Sequence, residues 1–207
     1  MNRNCPFLFC ILLAVIYMLH DPATAREALA QTSGQTQYRV NENGKAVYQD
    51  EFEFVPLPSE WELLSHAEGS DTVIIFYRKD PGSSLSRTII AYNEEPYGYS
   101  RQLEERAREF MNRFLWDAIM QQQILEQKKT RALGGEGLDL VIEAKDKIDG
   151  KKVRAEIVFA KRGERIVAFN VTQWRTLDEP FDLSAFDVFS RFVGTFKTLK
   201  KSFYENL

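Results

Sequence analysis

The chain has 207 residues, of which 44% are hydrophobic, and its 27 lysines and arginines nearly balance its 30 aspartates and glutamates. The resulting net charge of −3 is small, and the charged residues are interleaved without a basic stripe. This pattern excludes a nucleic-acid surface, so we expect no nucleic acid among the partners.

The first 25 residues have the pattern of a secretory signal peptide. Arg3 precedes an apolar run from Phe7 to Leu19, and Ala-x-Ala triplets follow at 23–25 and again at 28–30. This order is typical of export signals, and the run is shorter than the roughly 20 residues of a membrane helix. We predict cleavage after residue 25, or alternatively after residue 30, and a periplasmic or otherwise extracytoplasmic location. The membrane is an expected partner only if the leader stays uncleaved.

Cleavage would remove the chain's reactive side chains. Both cysteines, Cys5 and Cys10, precede the cleavage point, and His66 is the one histidine that follows it. These residues supply neither a tetrahedral zinc site nor the nucleophile–base pair of a hydrolase. The glycine-rich stretch 134–137 leads into a predicted strand, which favours a tight turn over a phosphate-binding loop. We therefore predict no catalytic residue, metal or cofactor.

Behind the leader, residues 26–45 are polar and are interpreted as a flexible lead-in, 46–200 as one α+β domain, and 201–207 as a tail. Strands are predicted near 52–55, 61–64, 72–79 and 86–93. The segment 72–79 is apolar at consecutive positions, as in a strand that is covered on both faces. In total we expect about seven mostly antiparallel strands and two main helices.

Two helices are predicted from apolar residues at helical spacing. The first runs from Ser100, as its cap, to Gln123, with the stripe Leu103, Ala107, Phe110, Met111, Phe114 and Ala118. The second begins with a capping box of Ser184 and Asp187 and buries Phe186, Phe189, Val193 and Phe196. The helices are expected to pack on the sheet.

Residues 138–174 predict a three-stranded meander. Asp149-Gly150 is a two-residue hairpin signal, which would pair Leu140 with Phe159, Ile142 with Ile157 and Ala144 with Ala155. A three-residue loop at 162–164 would then pair Phe159 with Val167, Ile157 with Phe169 and Ala155 with Val171. This register keeps one face of the meander apolar.

Two surfaces are candidates for binding. The opposite face of the meander would carry Glu143, Lys145, Arg154, Glu156, Asn170 and Thr172, either as a binding surface or as a solvated sheet face. On the first helix, Trp116 lies opposite the apolar stripe, with Ile119 and Met120 nearby. Exposed tryptophan and methionine side chains are typical of partner surfaces. Alternatively, the lead-in or Tyr97 and Tyr99 would cover Trp116.

The order of elements resembles that of PsbP-like domains. The resemblance rests on the opening residues 52–61 with their prolines and Trp61, the central helix, the meander, and the closing helix with Phe189, Phe192, Val193 and Phe196. It implies an α/β/α sandwich around an antiparallel sheet and a non-enzymatic protein that binds or stabilises other proteins. We therefore expect an exported accessory domain whose partner is another exported or membrane protein. The alternatives are a module for a small ligand or ion and, last, a carboxylate-based enzyme.

Overall fold

The computed structural model describes residues 38–64, 72–79, 86–94, 102–105, 107–109, 119–163 and 165–200. The predicted leader, most of the lead-in, His66, Trp116 and the tail lie outside these residues. In the described part, eleven strands form two sheets in which every pairing is antiparallel. The α+β class is confirmed.

The main sheet has seven strands in the order β4-β5-β6-β10-β9-β8-β7. These are β4 (Glu62–Leu64), β5 (Thr72–Lys79), β6 (Arg87–Asn93), β7 (Ile119–Ala132), β8 (Gly135–Asp146), β9 (Lys152–Arg162) and β10 (Arg165–Arg175). The strands predicted at 72–79 and 86–93 are confirmed. The last four strands follow one another as a meander, so β7 lies at an edge of the sheet.

The second sheet has four short strands in the order β1-β2-β3-β11. They are β1 (Arg39–Val40), β2 (Ala46–Tyr48), β3 (Phe52–Phe54) and β11 (Lys197–Thr198). Residues 39 and 40, which the sequence analysis counts in the lead-in, thus form a strand. β3 ends before Val55 and Pro56, because proline lacks the amide donor that a further ladder bond requires.

The two faces of the main sheet are both covered. The small sheet and helix α2 (Ser184–Thr195) pack on one side, which we call the α2 face, around Phe54, Tyr92, Phe169, Phe189 and Phe192. Helix α1, described at 103–105 and 107–109, packs Leu103 and Ala107 on the other side, the α1 face. The arrangement is the predicted α/β/α sandwich.

The predicted extent of the first helix is wrong at its C-terminal end. Residues 119–123 belong to β7, which pairs with β8 from Ile119 opposite Asp146 to Ala132 opposite Gly135. The run of glutamine, glutamate and lysine in β7 has a good helix propensity. Pairing with β8 along the sheet overrides this weak local preference.

Both predicted hairpin registers are also wrong. The first is displaced by two residues, since Leu140 pairs with Ile157, Ile142 with Ala155 and Ala144 with Val153. The second has a two-residue loop, so Phe159 faces Ala168, Ile157 faces Asn170 and Ala155 faces Thr172. The prediction assumed one apolar face, whereas β10 is buried on both faces. The hydrophobic pattern therefore left this register undetermined.

The α2 cap differs from the predicted capping box. The backbone amide of Ser184 donates a hydrogen bond to the Asp182 carboxylate at 2.9 Å. Asp182 thus takes the capping role that was predicted for the Ser184 hydroxyl. The buried stripe of α2 is confirmed at Phe189 and Val193, and Phe196 is buried just after the helix ends. Phe186 is half-buried and packs against the same core.

Candidate binding surface

One end of the main sheet combines exposed aliphatic side chains with a tightly held backbone. Two segments form it: the β8–β9 turn, residues 147–151, and the loop between β10 and α2, residues 176–183. They are neighbours because Lys152, which follows the turn, pairs with Arg175, which precedes the loop. We call these two segments together the loop end.

The β8–β9 turn is fixed by its own hydrogen bonds. The amide of Asp146 donates to the carbonyl of Lys151 at 2.8 Å, and the amide of Gly150 donates to the carbonyl of Asp146 at 3.1 Å. The carboxylate of Asp146 also accepts a bond from the amide of Ile148 at 2.8 Å. Gly150 has a φ of 70°, which glycine adopts without strain. The turn holds Ile148 outward, with 56% of its surface exposed.

The 176–183 loop is tied down at its start. The Glu179 carboxylate accepts a bond from the amide of Thr176 at 3.1 Å and another from the hydroxyl of Ser86. The ammonium group of Lys152 donates to the carbonyl of Leu177 at 3.0 Å. These contacts join the loop to both β9 and the start of β6.

The end of the loop is held by a reciprocal pair of hydrogen bonds. The amide of Asp182 donates to Oε1 of Gln173 at 2.9 Å, and Nε2 of Gln173 donates to the carbonyl of Asp182 at 2.7 Å. The Arg78 guanidinium lies 2.5 Å from the Asp182 carboxylate. Burial alone would raise the pKa of Asp182, but hydrogen bonds from Ser184 and Arg78 lower it below its ordinary value.

This fixed loop presents two leucines to water. Leu177 is 70% exposed and Leu183 is 66% exposed, the two largest values among the exposed large hydrophobic side chains of the described residues. A loop that satisfies its polar groups without burying its leucines loses little entropy when a partner covers them. The arrangement therefore suits binding.

Basic and aromatic side chains adjoin the leucines. The ring of Phe181 in the loop is covered by two cations. The Lys152 ammonium lies 5.3 Å from the ring centre, and the Arg154 guanidinium lies 6.0 Å from it. Arg154 also lies over Phe186 and within 3.5 Å of Glu143. Cations held over aromatic rings thus border the exposed aliphatic groups, while the loop itself carries Asp178, Glu179 and Asp182.

The predicted polar sheet face is divided by the structure. Glu143, Lys145, Arg154 and Glu156 share the α2 face, as the pairing of Glu143 with Arg154 requires. Asn170 and Thr172 face Ile157 and Ala155 and therefore belong to the α1 face, where both are buried. Placing these two with the other four was wrong, because the β9–β10 register differs by one residue from the predicted one.

Two of the three residues predicted as a partner surface lie at the start of β7. The backbone of Ile119 pairs with Asp146 and that of Met120 with Lys145, so both enter the sheet beside the β8–β9 turn. They are in a strand and not on the predicted helix. Trp116 lies outside the described residues.

Two carboxyl groups with raised pKa values lie farther along the α2 face. Burial, with Asp139 as the next cause, raises the pKa of Glu156 to about 7. Burial also raises the pKa of Asp139, against the opposing charge of Lys128, whose ammonium lies 3.4 Å from Oδ2. The other oxygen of Asp139 is buried and bonds to no partner within the described part of the chain.

The opposite face carries an open cleft between α1 and the sheet. Its volume is about 720 Å³, and its walls come from the start of α1, the β7–β8 hairpin and the end of β9. Three cations, Lys129, Arg131 and Lys161, and two carboxylates, Glu104 and Glu136, line it.

The residues of the loop end were not predicted from the sequence. A signal was present, because Leu177 and Leu183 are isolated leucines in a short acidic segment with one proline between a strand and a helix. Ile148 likewise stands alone among charged residues of a turn.

Within the described ranges, no group of three or more histidine, cysteine, aspartate or glutamate residues is placed to hold a metal ion. No helix in that same part of the chain combines the length and the apolar character of a membrane span.

Comparison with known proteins identifies the fold. No family model matches the chain, and no curated protein sequence matches it. Among solved structures, a variant of the protein Mog1 superposes with a TM-score of 0.54 and 11% identity, over 76% of this chain and 96% of that one. The Ran-binding protein Mog1p of Saccharomyces cerevisiae superposes with a TM-score of 0.52 and 9% identity, over 72% of this chain and 90% of that one. PsbP of the cyanobacterium Synechocystis superposes with a TM-score of 0.45 and 13% identity, over 81% of this chain and 95% of that one. The two Mog1 superpositions show that the chain has this fold, the PsbP-like/Mog1 fold, as a distant structural relationship.

Proposed function

We propose that the chain is an exported, non-catalytic accessory domain that binds another extracytoplasmic protein through the loop end. The observation that supports this function is the 176–183 loop, in which Leu177 and Leu183 remain exposed on a backbone held by side-chain hydrogen bonds. Lys152 and Arg154 beside the leucines, together with Asp178 and Asp182 of the loop itself, favour a partner whose apolar groove carries side chains of both charges at its rim. The leader pattern supports the location of this partner.

The test is affinity capture from an extracytoplasmic extract with the wild-type chain and the double variant Leu177→Ser/Leu183→Ser. We expect one dominant protein on the wild type and its loss from the variant, because buried anchor residues contribute most of the binding energy of an interface. With the captured protein purified, the variant should raise the dissociation constant at least tenfold. The melting temperature should stay unchanged, since both side chains are already in water.

Val40→Ser is the matched control, because Val40 is also highly exposed but lies on β1 of the small sheet. It should leave capture intact. Equal retention of the partner by the loop variant would exclude the loop end as the binding surface. A capture that retains no protein would favour the alternative function, which is binding of a small anionic ligand in the cleft lined by Lys129, Arg131 and Lys161. An increase of the melting temperature in the presence of inorganic phosphate would support this alternative.

A further inference from the structure

The outer edge of β7 is the longest exposed strand edge of the main sheet. The strand has 14 residues, and on its outer side it pairs with no other strand of the described part of the chain. Residues 122–129 are all exposed, including Ile124 and Leu125. A strand edge of this kind offers a row of amide and carbonyl groups to a further strand. The opposite edge, β4, has three residues.

The β7–β8 turn fixes which backbone groups point outward. Leu133 and Gly134 form a two-residue turn, both with positive φ, and Ala132 and Gly135 flank it as the first pair. Such a pair exchanges hydrogen bonds across the hairpin. Counting back by twos, Ala132, Thr130, Lys128 and Glu126 direct their amides and carbonyls toward β8. Gln127, Lys129 and Arg131 direct theirs outward.

Within the regularly paired stretch from Glu126 to Ala132, charge then selects one arrangement for two copies of this edge. An antiparallel pair related by a two-fold axis at Lys129 or at Lys128 places lysines directly opposite each other, which is unfavourable. An axis at Gln127 places Glu126 opposite Lys128 of the second copy and Lys128 opposite its Glu126. Gln127, with its outward amide and carbonyl, would exchange two hydrogen bonds with its own copy.

We propose that β7 is a self-association edge, on which a second copy of this chain adds antiparallel with the two-fold axis at Gln127. The two main sheets then continue into one another, and the Glu126–Lys128 pairs form on the α2 face. Lysines on an edge normally prevent pairing with other strands. Within one chain Lys128 already contacts Glu126 at 3.0 Å and Asp139 at 3.4 Å. Only the self-complementary register places a carboxylate of the added strand directly opposite Lys128, so Lys128 admits a second copy and opposes other edges.

The irregularities of β7 are compatible with this arrangement. The β7–β8 register shifts between Met120 and Gln123 and between Ile124 and Glu126. From Glu126 to Ala132 the pairing is continuous, so the axis and the ion-paired positions lie in the regular part of the strand. The bulged residues Ile124 and Leu125 would lie opposite Thr130 and Lys129 of the copy. This surface is distinct from the loop end and leaves that end free.

The experiment is disulfide cross-linking of the full chain with Cys5→Ser and Cys10→Ser, so that an introduced cysteine is the single thiol. Gln127→Cys should form a covalent dimer on mild oxidation, because directly opposed antiparallel residues lie within disulfide range. Lys129→Cys is the control, since its two copies would be roughly 14 Å apart at about 3.4 Å per residue. Equal cross-linking at both positions, or none at Gln127→Cys, would overturn the proposal.

Charge reversal is an independent test, in which analytical ultracentrifugation measures the oligomeric state. Glu126→Lys should convert the dimer to monomer, because it places lysines opposite Lys128 on both sides of the axis. Glu136→Lys changes the net charge equally but lies on β8, away from the edge, and should leave the dimer intact. A wild-type chain that is monomeric at about 100 µM would also refute the proposal. This result would not contradict the proposed function of the loop end.

Discussion

At the scale of single residues, Glu156 is the carboxyl group whose protonation should affect stability near neutral pH. Its pKa is raised to about 7 by burial and by Asp139, whereas in the unfolded chain it returns to its ordinary value near 4.5. Between these two values the folded state binds more protons, so stability falls as pH rises from about 4.5 to 7. Because the side chain is partly exposed, we expect the loss to be about 1 kcal/mol.

Glu156→Gln removes this titration and should therefore melt above the wild type at pH 8 by about 2–4 °C. The two proteins should converge near pH 5, where Glu156 is protonated. Glu143→Gln, on the same face and in contact with Arg154, is the control and should not gain stability at pH 8. A Glu156→Gln variant that is less stable than the wild type at pH 8 would contradict the assignment.

Gly137 is required for stability because β9 and Thr130 leave no room for a side chain at this position. A Cβ at this position would lie 2.8 Å from the carbonyl oxygen of Phe159 and 3.1 Å from Cγ2 of Thr130. The backbone of β9 cannot move away without disturbing the ladder, so Gly137→Ala should cost about 1–3 kcal/mol of unfolding free energy. Gly135→Ala is the matched control, because a Cβ there meets nothing within 4 Å. Denaturant unfolding that gives equal values for both variants would show that β9 accommodates the methyl group.

At the scale of elements, the sequence predicts local structure better than pairing. The strands at 72–79 and 86–93 and the buried stripe of α2 follow from composition and spacing within each segment. The turn predicted over 134–137 is confirmed only at Gly134, since Gly135 already begins β8. The end of the first helix does not, because the exposed residues of β7 have no hydrophobic period and their strand conformation depends on β8. Helix propensity of a few tenths of a kcal/mol per residue is easily outweighed by such pairing.

The binding surfaces were predictable only in part, for a related reason. Glu143, Lys145, Arg154 and Glu156 follow one strand alternation within β8 and within β9, so their common face is fixed by the first hairpin. Asn170 and Thr172 depend on the β9–β10 register. Since β10 is buried on both faces, a slip of one residue exchanges one buried set for another, and an assumed division into an apolar and a solvated face misplaces the strand.

At the scale of the whole molecule, the PsbP-like/Mog1 fold joins two sheets through one shared core, and Arg162 of β9 is the polar link between them. Its guanidinium bonds to Glu94 directly after β6, to Glu51 in the turn between β2 and β3 at 2.7 Å, and to the carbonyl of Lys200 at 3.0 Å. It also lies over the ring of Phe52 at 5.0 Å. Arg162 and Glu94 are both buried.

Removing one member of this link should cost more than removing two. Arg162→Leu leaves the Glu94 carboxylate buried without its cation, for which we expect a loss of about 3–5 kcal/mol of unfolding free energy. Arg162→Leu/Glu94→Leu also removes the buried Glu94 carboxylate, and Glu51, whose side chain is 25% exposed, can be hydrated, so part of the loss should be recovered. Amide exchange in β2 and β3 should rise in the single variant before exchange in β8 and β9, because the small sheet loses its attachment while the main sheet keeps its ladders. A double variant less stable than Arg162→Leu, or exchange that rises equally in both sheets, would mean that the shared aromatic core joins the sheets without help from this ion pair.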